Sequence, residues 1–250
     1  MEQTAILQAA KALHEARQAG TRLDRLPEFA QPQNVADAWA IQLATVKELG
    51  ETVAGWKVGL SPEHGVFVGI LIGSRIFKNG ASIAAAEVPM LGIEAEIAFR
   101  FDRALPSRER EYGREEIAAA VTAFPAIEIV DTRFRDYAAT PILERTADFM
   151  SNGGFVAGPL RDDWRSFDLA KLEVRLTIDG VERVRRVGGH PTGDPLIPAI
   201  ALVNVLRAST GVTEGAVATT GSYTGLEYAG RDSTVEVAFT GFREIGCRFY

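Results

Sequence analysis

Residues 92–101 read GIEAEIAFRF, a stretch in which Ile93, Ala95, Ile97, Phe99 and Phe101 alternate with Glu94, Glu96, Ala98 and Arg100. That period of two is the signature of a strand with one buried face, and it sends both glutamates to the same side. Their Cα atoms would then stand roughly 6.5 to 7 Å apart, close enough for both carboxylates to reach one cation. Glu128 stands between Ile127 and Ile129 in AIEIV and, on a strand, points away from those two β-branched residues. Three carboxylates suit a hard cation, because Mg²⁺ prefers oxygen ligands in octahedral geometry and would keep about three positions for water or substrate. The carboxylate and keto oxygen of a 2-oxo acid could fill two of them. The competing reading, in which the glutamates line the solvent side of ordinary strands, stays open on pattern alone because short motifs recur by chance.

Lys57 in GWKVG has glycines at 55 and 59, which permit close backbone approach. Facing the carboxylates, it would supply a cation for a substrate carboxylate or a proton donor; facing outward, it would only snorkel. The runs DFMSNGGFVAG (148–158) and ATTGSYTGL (218–226) set hydroxyls beside glycines. That composition suits donors to an anionic ligand and equally suits tight turns. Of the three histidines, His14 falls in a helical stretch as a surface residue, while His64 and His190 lie in glycine-rich loops and receive no firm role.

No H-x-H or H-x-x-x-H pattern, P-loop, strand-borne G-x-G-x-x-G or G-x-S-x-G elbow is present, so zinc, nucleotide and serine-triad chemistry are not indicated. With 27 basic against 33 acidic residues and no basic run, nucleic acid is not the expected partner. The first twenty residues lack a signal peptide's basic start and apolar run, and no apolar stretch is long enough to span a bilayer, so a cytoplasmic protein with no membrane partner is expected. The single Cys247 allows no internal disulfide and reads as packing.

These residues need elements to carry them. Apolar positions at helical spacing over 4–18, and again after an N-capping Asn34 up to Gly50, predict two helices that form an N-terminal cap. Residues 53–60 read as a strand and 65–80 as glycine-rich loops with short apolar pieces. After Ala81 strands dominate: 92–101, 126–130, a hairpin over 172–186 turning at Asp179-Gly180, and strands near 216–220, 234–240 and 245–250. Helices are expected from about 114 to 123 and 195 to 208. The fold class is α+β with mostly antiparallel strands. Its expected division is 1–80, the helical cap with the lysine strand, and 81–250, the β-rich metal-binding core.

The order GWKVGL, GIEAEIAF, PAIEIVDTR, a serine-glycine loop, GHP and a late T-G resembles the 2-keto-4-pentenoate hydratase and 4-oxalocrotonate decarboxylase family, within the fumarylacetoacetate hydrolase superfamily. The likeness spans about residues 53–250. It implies a β-rich roll of the fumarylacetoacetase C-terminal-like type holding Mg²⁺ or Mn²⁺ on Glu94, Glu96 and Glu128. It also implies an active-site Lys57, substrate-binding Ser151, Thr220 and Gly221, and a homo-oligomer. There are departures. Hydratases of the family usually carry an aspartate after the lysine strand, where this chain has the acid-free GVFVGIL (65–71). The family G-H-P can fall on Gly189-His190-Pro191 or on Gly193-Asp194-Pro195, and Glu63-His64 has the wrong spacing for the hydrolase branch's His and Glu pair.

The expected activity is a metal-dependent lyase, hydratase-like, acting on a small 2-oxo acid or its dienol through a metal-stabilised enolate. A 4-oxalocrotonate-type decarboxylase, an acylpyruvate-type C-C hydrolase and a non-catalytic 2-oxo acid binding protein are the alternatives.

Overall fold

The chain starts with two helices whose ends are chemically marked. In this computed structural model, which describes residues 1–63 and 65–250, helix α1 spans Gln3–Ala19 and α2 spans Val35–Leu49. Asn34 caps α2 by accepting a 2.9 Å hydrogen bond from the Asp37 N–H. Gly50 ends the helix in the left-handed region, φ 66°, where a side chain would be strained. Ala5, Ala9 and Leu13 of α1 pack on Ala38 and Ile41 of α2 and on Leu26, Phe134 and Ala147, so the cap shares a small core with the body. Arg22 pairs with Asp131 at 2.6 Å and Arg25 with Glu144 at 2.5 Å, across the same seam.

The strands follow as β1 (Val53–Ser61), β2 (Gly65–Ile72), β3 (Ile76–Lys78), β4 (Ala81–Ile83) and β5 (Gly92–Phe101), then β6 (Val121–Val130) and β7 (Asn152–Ala157). Short helices α3 (Arg114–Ala118) and α4 (Ile142–Ala147) flank β6. The hairpin β8 (Glu173–Ile178) and β9 (Val181–Val187), helix α5 (Leu196–Leu206), and β10 (Val217–Ser222), β11 (Glu227–Tyr228), β12 (Thr234–Phe239) and β13 (Ile245–Phe249) complete the chain. One sheet has the order β2-β1-β10-β5-β6-β7-β3, with β11 also on β5, and a second has the order β4-β13-β12-β8-β9. Pairing is antiparallel except for β1 with β10, β3 with β7 and β4 with β13. A continuous core runs from Trp56 and Ile70 through Ile93, Phe99 and Ile127 to Leu176, Val237 and Phe249. The α+β expectation holds, and α1 and α2 fall where apolar spacing and Asn34 predict two helices.

Several expectations are corrected. Residues 65–80 form β2 and β3 rather than loops: the apolar run GVFVGILI has no alternation because its last six residues are all buried, and its Gly69 serves close approach rather than turning. The helix expected to reach 123 stops at Ala118, and β6 begins at Val121, because every residue of β6 is buried and a two-sided strand shows no period of two. The serine-glycine run at 148–158 becomes strand β7 from Asn152 onward. Lys57, grouped in the sequence with the cap, stands on β1 between β2 and β10 of the larger sheet. His14 is half-buried rather than on the surface. His64 lies outside the described residues. No helix among the described residues is long and apolar enough to cross a membrane.

The edge strand β2 presents open backbone groups. Gln42 of α2 answers them, donating to Val68 O and accepting from Ile70 N–H at 2.8 Å each. The helical cap thus seals the sheet beside the lysine strand.

Candidate active site

Glu94 and Glu128 are direct cross-strand partners of β5 and β6, and Glu96 follows two residues on, on the same face. One oxygen from each of the three carboxylates lies within 4.8 Å of the other two. Glu128 is fully buried on an interior strand, so the solvent-side reading of the sequence does not hold. Glu96 is 1% exposed.

Each carboxylate is oriented by its own partners. Strand β10 carries one extra residue against β5 between Thr219 and Ser222, a β-bulge at Thr220-Gly221. Through it the N–H groups of Thr220 and Gly221 donate to Glu96 Oε2 at 3.0 and 2.8 Å, joined by the Thr219 hydroxyl. Gly221 adopts φ 124°, which favours glycine. Asn152 donates to Glu128 Oε1 at 3.1 Å. Lys57 Nζ lies 2.8 Å from Glu128 Oε1 and 3.8 Å from Glu94 Oε2, so it faces the cluster and does not snorkel.

Burial dominates the electrostatics. It pushes Glu128 up to about 7, against the pull of Lys57, with Glu96 adding to the rise. Burial also raises Glu94 and Glu96. For Lys57, burial disfavours the ammonium but is outweighed by Glu128, Glu94 and Glu96, which hold its pKa above the ordinary lysine value. Glu96 Oε1 and Glu128 Oε2 are buried with no hydrogen-bond partner among the described residues. Buried lone pairs of that kind are costly, and a hard divalent cation satisfies them, so the donor set fits Mg²⁺ or Mn²⁺.

A cavity of about 430 Å³ opens over the cluster, lined among others by Lys57, Glu94, Glu96, Met150 and Gly221. Of the substrate-binding residues expected from the sequence, Gly221 lines this space. Thr220 uses its N–H on Glu96 and its hydroxyl on Ile97 O at 3.1 Å. Ser151 is buried, its Oγ without a partner among the described residues, and it is the neighbouring Met150 that reaches the cavity. Phe149, Met150 and Ser151 all have positive φ (53°, 51° and 61°). This turn is pressed against Gly69, the cross-strand partner of Lys57, where a Cβ would stand 2.7 Å from Phe149 O.

His190 is buried 3.0 Å from Thr220 O through Nε2, while its Nδ1 accepts from Thr192 N–H at 3.3 Å. Burial pushes it down to about 4, so it is neutral at neutral pH and donates from Nε2. It braces the bulge that holds Glu96. Sequence reasoning missed Thr219, Asn152, Tyr137, Arg145 and Arg186. The doubled threonine of ATTG and the N-G-G of the serine run were signals for the first two; nothing local marks Tyr137 or Arg145.

The fold of this curled sheet is shared with solved enzymes in complex with divalent metals. The fold superposes on 4-oxalocrotonate decarboxylase from Pseudomonas putida G7, complexed with magnesium and adipate, with a TM-score of 0.88 at 20% identity over 100% of this chain and 99% of that one. Fumarylpyruvate hydrolase from Pseudomonas aeruginosa, in complex with Mn²⁺ and pyruvate, has a TM-score of 0.56 at 15% identity over 78% of this chain and 88% of that one. No family model matches the chain. A 2-keto-4-pentenoate hydratase from Burkholderia vietnamiensis is 30% identical over 233 residues, 88% of each chain. A 2-hydroxyhexa-2,4-dienoate hydratase from Comamonas testosteroni is 30% identical over 213 residues, 79% of this chain and 78% of that one. The chain belongs to the 2-keto-4-pentenoate hydratase family.

Proposed function

We propose that this chain is a divalent-metal-dependent lyase of the hydratase type, using Mg²⁺ or Mn²⁺, that works in the cytoplasm as a homo-oligomer on a small 2-oxo acid or its dienol. The observation that carries the reading is the convergence of Glu94, Glu96, Glu128 and Lys57 beneath one cavity. The hydratase names of the relatives and the magnesium and Mn²⁺ complexes of the structural neighbours support it.

Glu94, Glu96 and Glu128 would hold the cation, which when bound supplies Lewis-acid polarisation of the keto oxygen and a template for the acid. The bulge N–H groups and Asn152 fix two of the carboxylates in place before any ligand arrives. Lys57 keeps a proton on Nζ at neutral pH and holds it at the floor of the cavity. It delivers that proton to the terminal dienol carbon as the enol hydroxyl gives up its own; water then adds its hydroxyl to the distal carbon and returns its proton to Nζ, while the proton released by the enol ends on the carbon next to the keto group. Met150 narrows the cavity beside Gly59, limiting water around Lys57.

Decarboxylation is the second reading. It is favoured by β2, which carries no acid anywhere in Gly65–Ile72, so the aspartate usual in hydratases is missing.

The test is turnover of 2-hydroxypenta-2,4-dienoate and of a decarboxylatable 2-oxo acid by chelator-stripped protein before and after adding Mg²⁺, with products identified by NMR. Metal-restored formation of a 4-hydroxy-2-oxo acid supports hydration, and release of CO₂ supports the second reading. Absence of turnover on both, with metal bound, leaves the C-C hydrolase and the binding protein, which an acylpyruvate assay separates.

A further inference from the structure

Between α4 and β7 the backbone makes a turn that its own residues do not favour. Phe149, Met150 and Ser151 take φ of 53°, 51° and 61°, three side-chain-bearing residues in succession in the left-handed region that favours glycine. Such a conformation persists only where the surroundings over-determine it. The turn itself supplies little of that support. The Ser151 N–H donates to Asp148 O at 2.8 Å, and the Ser151 hydroxyl has no partner among the described residues.

One guanidinium holds both ends of the turn. Arg133 lies just beyond the end of β6 and is buried. Its Nη2 donates to Asp148 O, where the turn starts, and to Asn152 O, where it finishes, at 3.3 Å each. Its Nε lies 2.5 Å from Asp148 Oδ1, and its Nη1 reaches Asp131 Oδ2 at 3.3 Å. Asp148 Oδ2 in turn accepts from the Arg133 N–H at 2.8 Å and the Thr132 hydroxyl at 3.0 Å. Two carboxylates thus fix the plane of the guanidinium while one of its nitrogens bridges two carbonyls. Arg17 of α1 adds a contact from the cap, its Nη2 3.5 Å from Asn152 O and its Cζ 5.5 Å from the Phe149 ring centroid.

Asn152 carries this arrangement into the site. Its Nδ2 donates to Glu128 Oε1 at 3.1 Å, the oxygen that also faces Lys57, and to Gly154 O at 3.2 Å. With Oε1 so held, Glu128 is left with the buried Oε2, which has no partner among the described residues, to offer to a cation.

We propose that Arg133 is a positioning residue for the carboxylate cluster: by clamping Asp148 O and Asn152 O across the left-handed turn, it sets the Asn152 amide that orients Glu128. Arg133 does not line the cavity, so its influence on the cluster passes through Asn152. The role rests on the cation site proposed for Glu94, Glu96 and Glu128. Lysine cannot fill it, because a single ammonium keeps the charge but lacks the planar fork that meets Asp148 Oδ1, Asp131 and both carbonyls together.

The experiment is a double-mutant cycle on the chelator-stripped full chain, with Arg133→Lys, Asn152→Ala and the two combined. Mn²⁺ affinity is read by water-proton relaxation at a temperature where far-ultraviolet dichroism shows every variant folded. Each single variant is expected to bind Mn²⁺ about 10-fold more weakly, the lower end of the cost of losing an outer partner of a metal ligand. The double variant should match Asn152→Ala within about twofold, because without the amide the clamp has nothing to transmit. A lowered melting temperature with unchanged Mn²⁺ affinity in Arg133→Lys makes the clamp a purely structural one and overturns the proposal. So do losses that multiply in the double variant, which would route Arg133 to the cluster some other way. If Arg133→Lys does not fold, Asp148→Asn, which slackens the guanidinium from its partner's side, replaces it in the cycle with the same deciding outcomes. A parent chain that binds no Mn²⁺ overturns the cation site together with the role built on it. A parent that binds Mn²⁺ no better than Arg133→Lys sinks the role of Arg133 alone.

Discussion

Lys57 Nζ lies 2.8 Å from Glu128 Oε1, although their strands are separated by β10 and β5. Three inter-strand steps of about 4.8 Å would set the two backbones roughly 14 Å apart in a flat sheet. The curl of the sheet brings their side chains together on its concave face, and Thr219, which stands beside Lys57 in the register, fills the interval by binding Glu96.

The carboxylates can be tested singly. Glu94→Gln and Glu128→Gln should keep the far-ultraviolet dichroism of the parent and lower Mn²⁺ affinity at least about 10-fold, since a neutral amide coordinates a hard dication poorly. Metal titration followed by Mn²⁺ relaxation reads this directly. Unchanged affinity in both variants would mean that the cluster is not a cation site.

For Lys57→Met the expectation is a loss of turnover of about 10² to 10⁴, the range for one positioned proton-transfer group. Metal affinity should hold or rise, because an ammonium 2.8 Å from Glu128 competes with a cation. Steady-state kinetics beside a metal titration separates the two effects. Full activity in the variant would leave Lys57 as a structural counter-ion.

Proton linkage gives a signed prediction. Burial raises Glu128 to about 7, above its unfolded value of 4.5. Between those values the folded metal-free chain binds more protons than the unfolded chain. Its stability is therefore fully supported below about pH 4.5 as far as this group is concerned and declines as pH rises toward 7. A cation requires the deprotonated carboxylate, so metal affinity should rise with pH through about 7. The gain in melting temperature on adding Mg²⁺ should be larger at pH 8 than at pH 5.5. An equal gain at both would contradict the linkage.

His190 acts through the bulge. His190→Phe removes the donor to Thr220 O and should weaken Mn²⁺ binding about 10 to 100-fold, the usual cost of losing an outer partner of a metal ligand. His190→Gln, which can still donate, should recover part of it. If His190→Phe binds metal as tightly as the parent, the bulge does not depend on this histidine.

Gly69→Ala should destabilise the fold by about 1 to 3 kcal/mol, because the new Cβ would meet Phe149 O at 2.7 Å and Met150 Cβ at 2.8 Å. Chemical denaturation measures it, and a neutral result would show that the 149–151 turn can yield.

Local chemistry was readable in the chain alone. Asn34 and Gly50 bracket α2, Asp179-Gly180 turns the β8–β9 hairpin with both residues at positive φ, and the alternation in GIEAEIAFRF puts Glu94 and Glu96 on one face. Each of these depends on neighbours a few residues away, which is why pattern suffices. Where both faces of a strand are buried, as in β2 and β6, alternation vanishes, and the same apolar run reads as loop or helix.

By itself, then, the sequence determined the α+β class, the capping helices, the strand phase of the glutamates and, through the resemblance, the family. The tertiary structure decided that Glu128 is interior, that Lys57 turns inward, that Thr220 and Gly221 spend their N–H groups on Glu96, and that Arg145 and Arg186 both line one cavity. Those outcomes are set by sheet curl, by a single-residue bulge and by the docking of α4 and β9 from distant parts of the chain. None of these long-range contacts leaves a periodicity in the residues that make it.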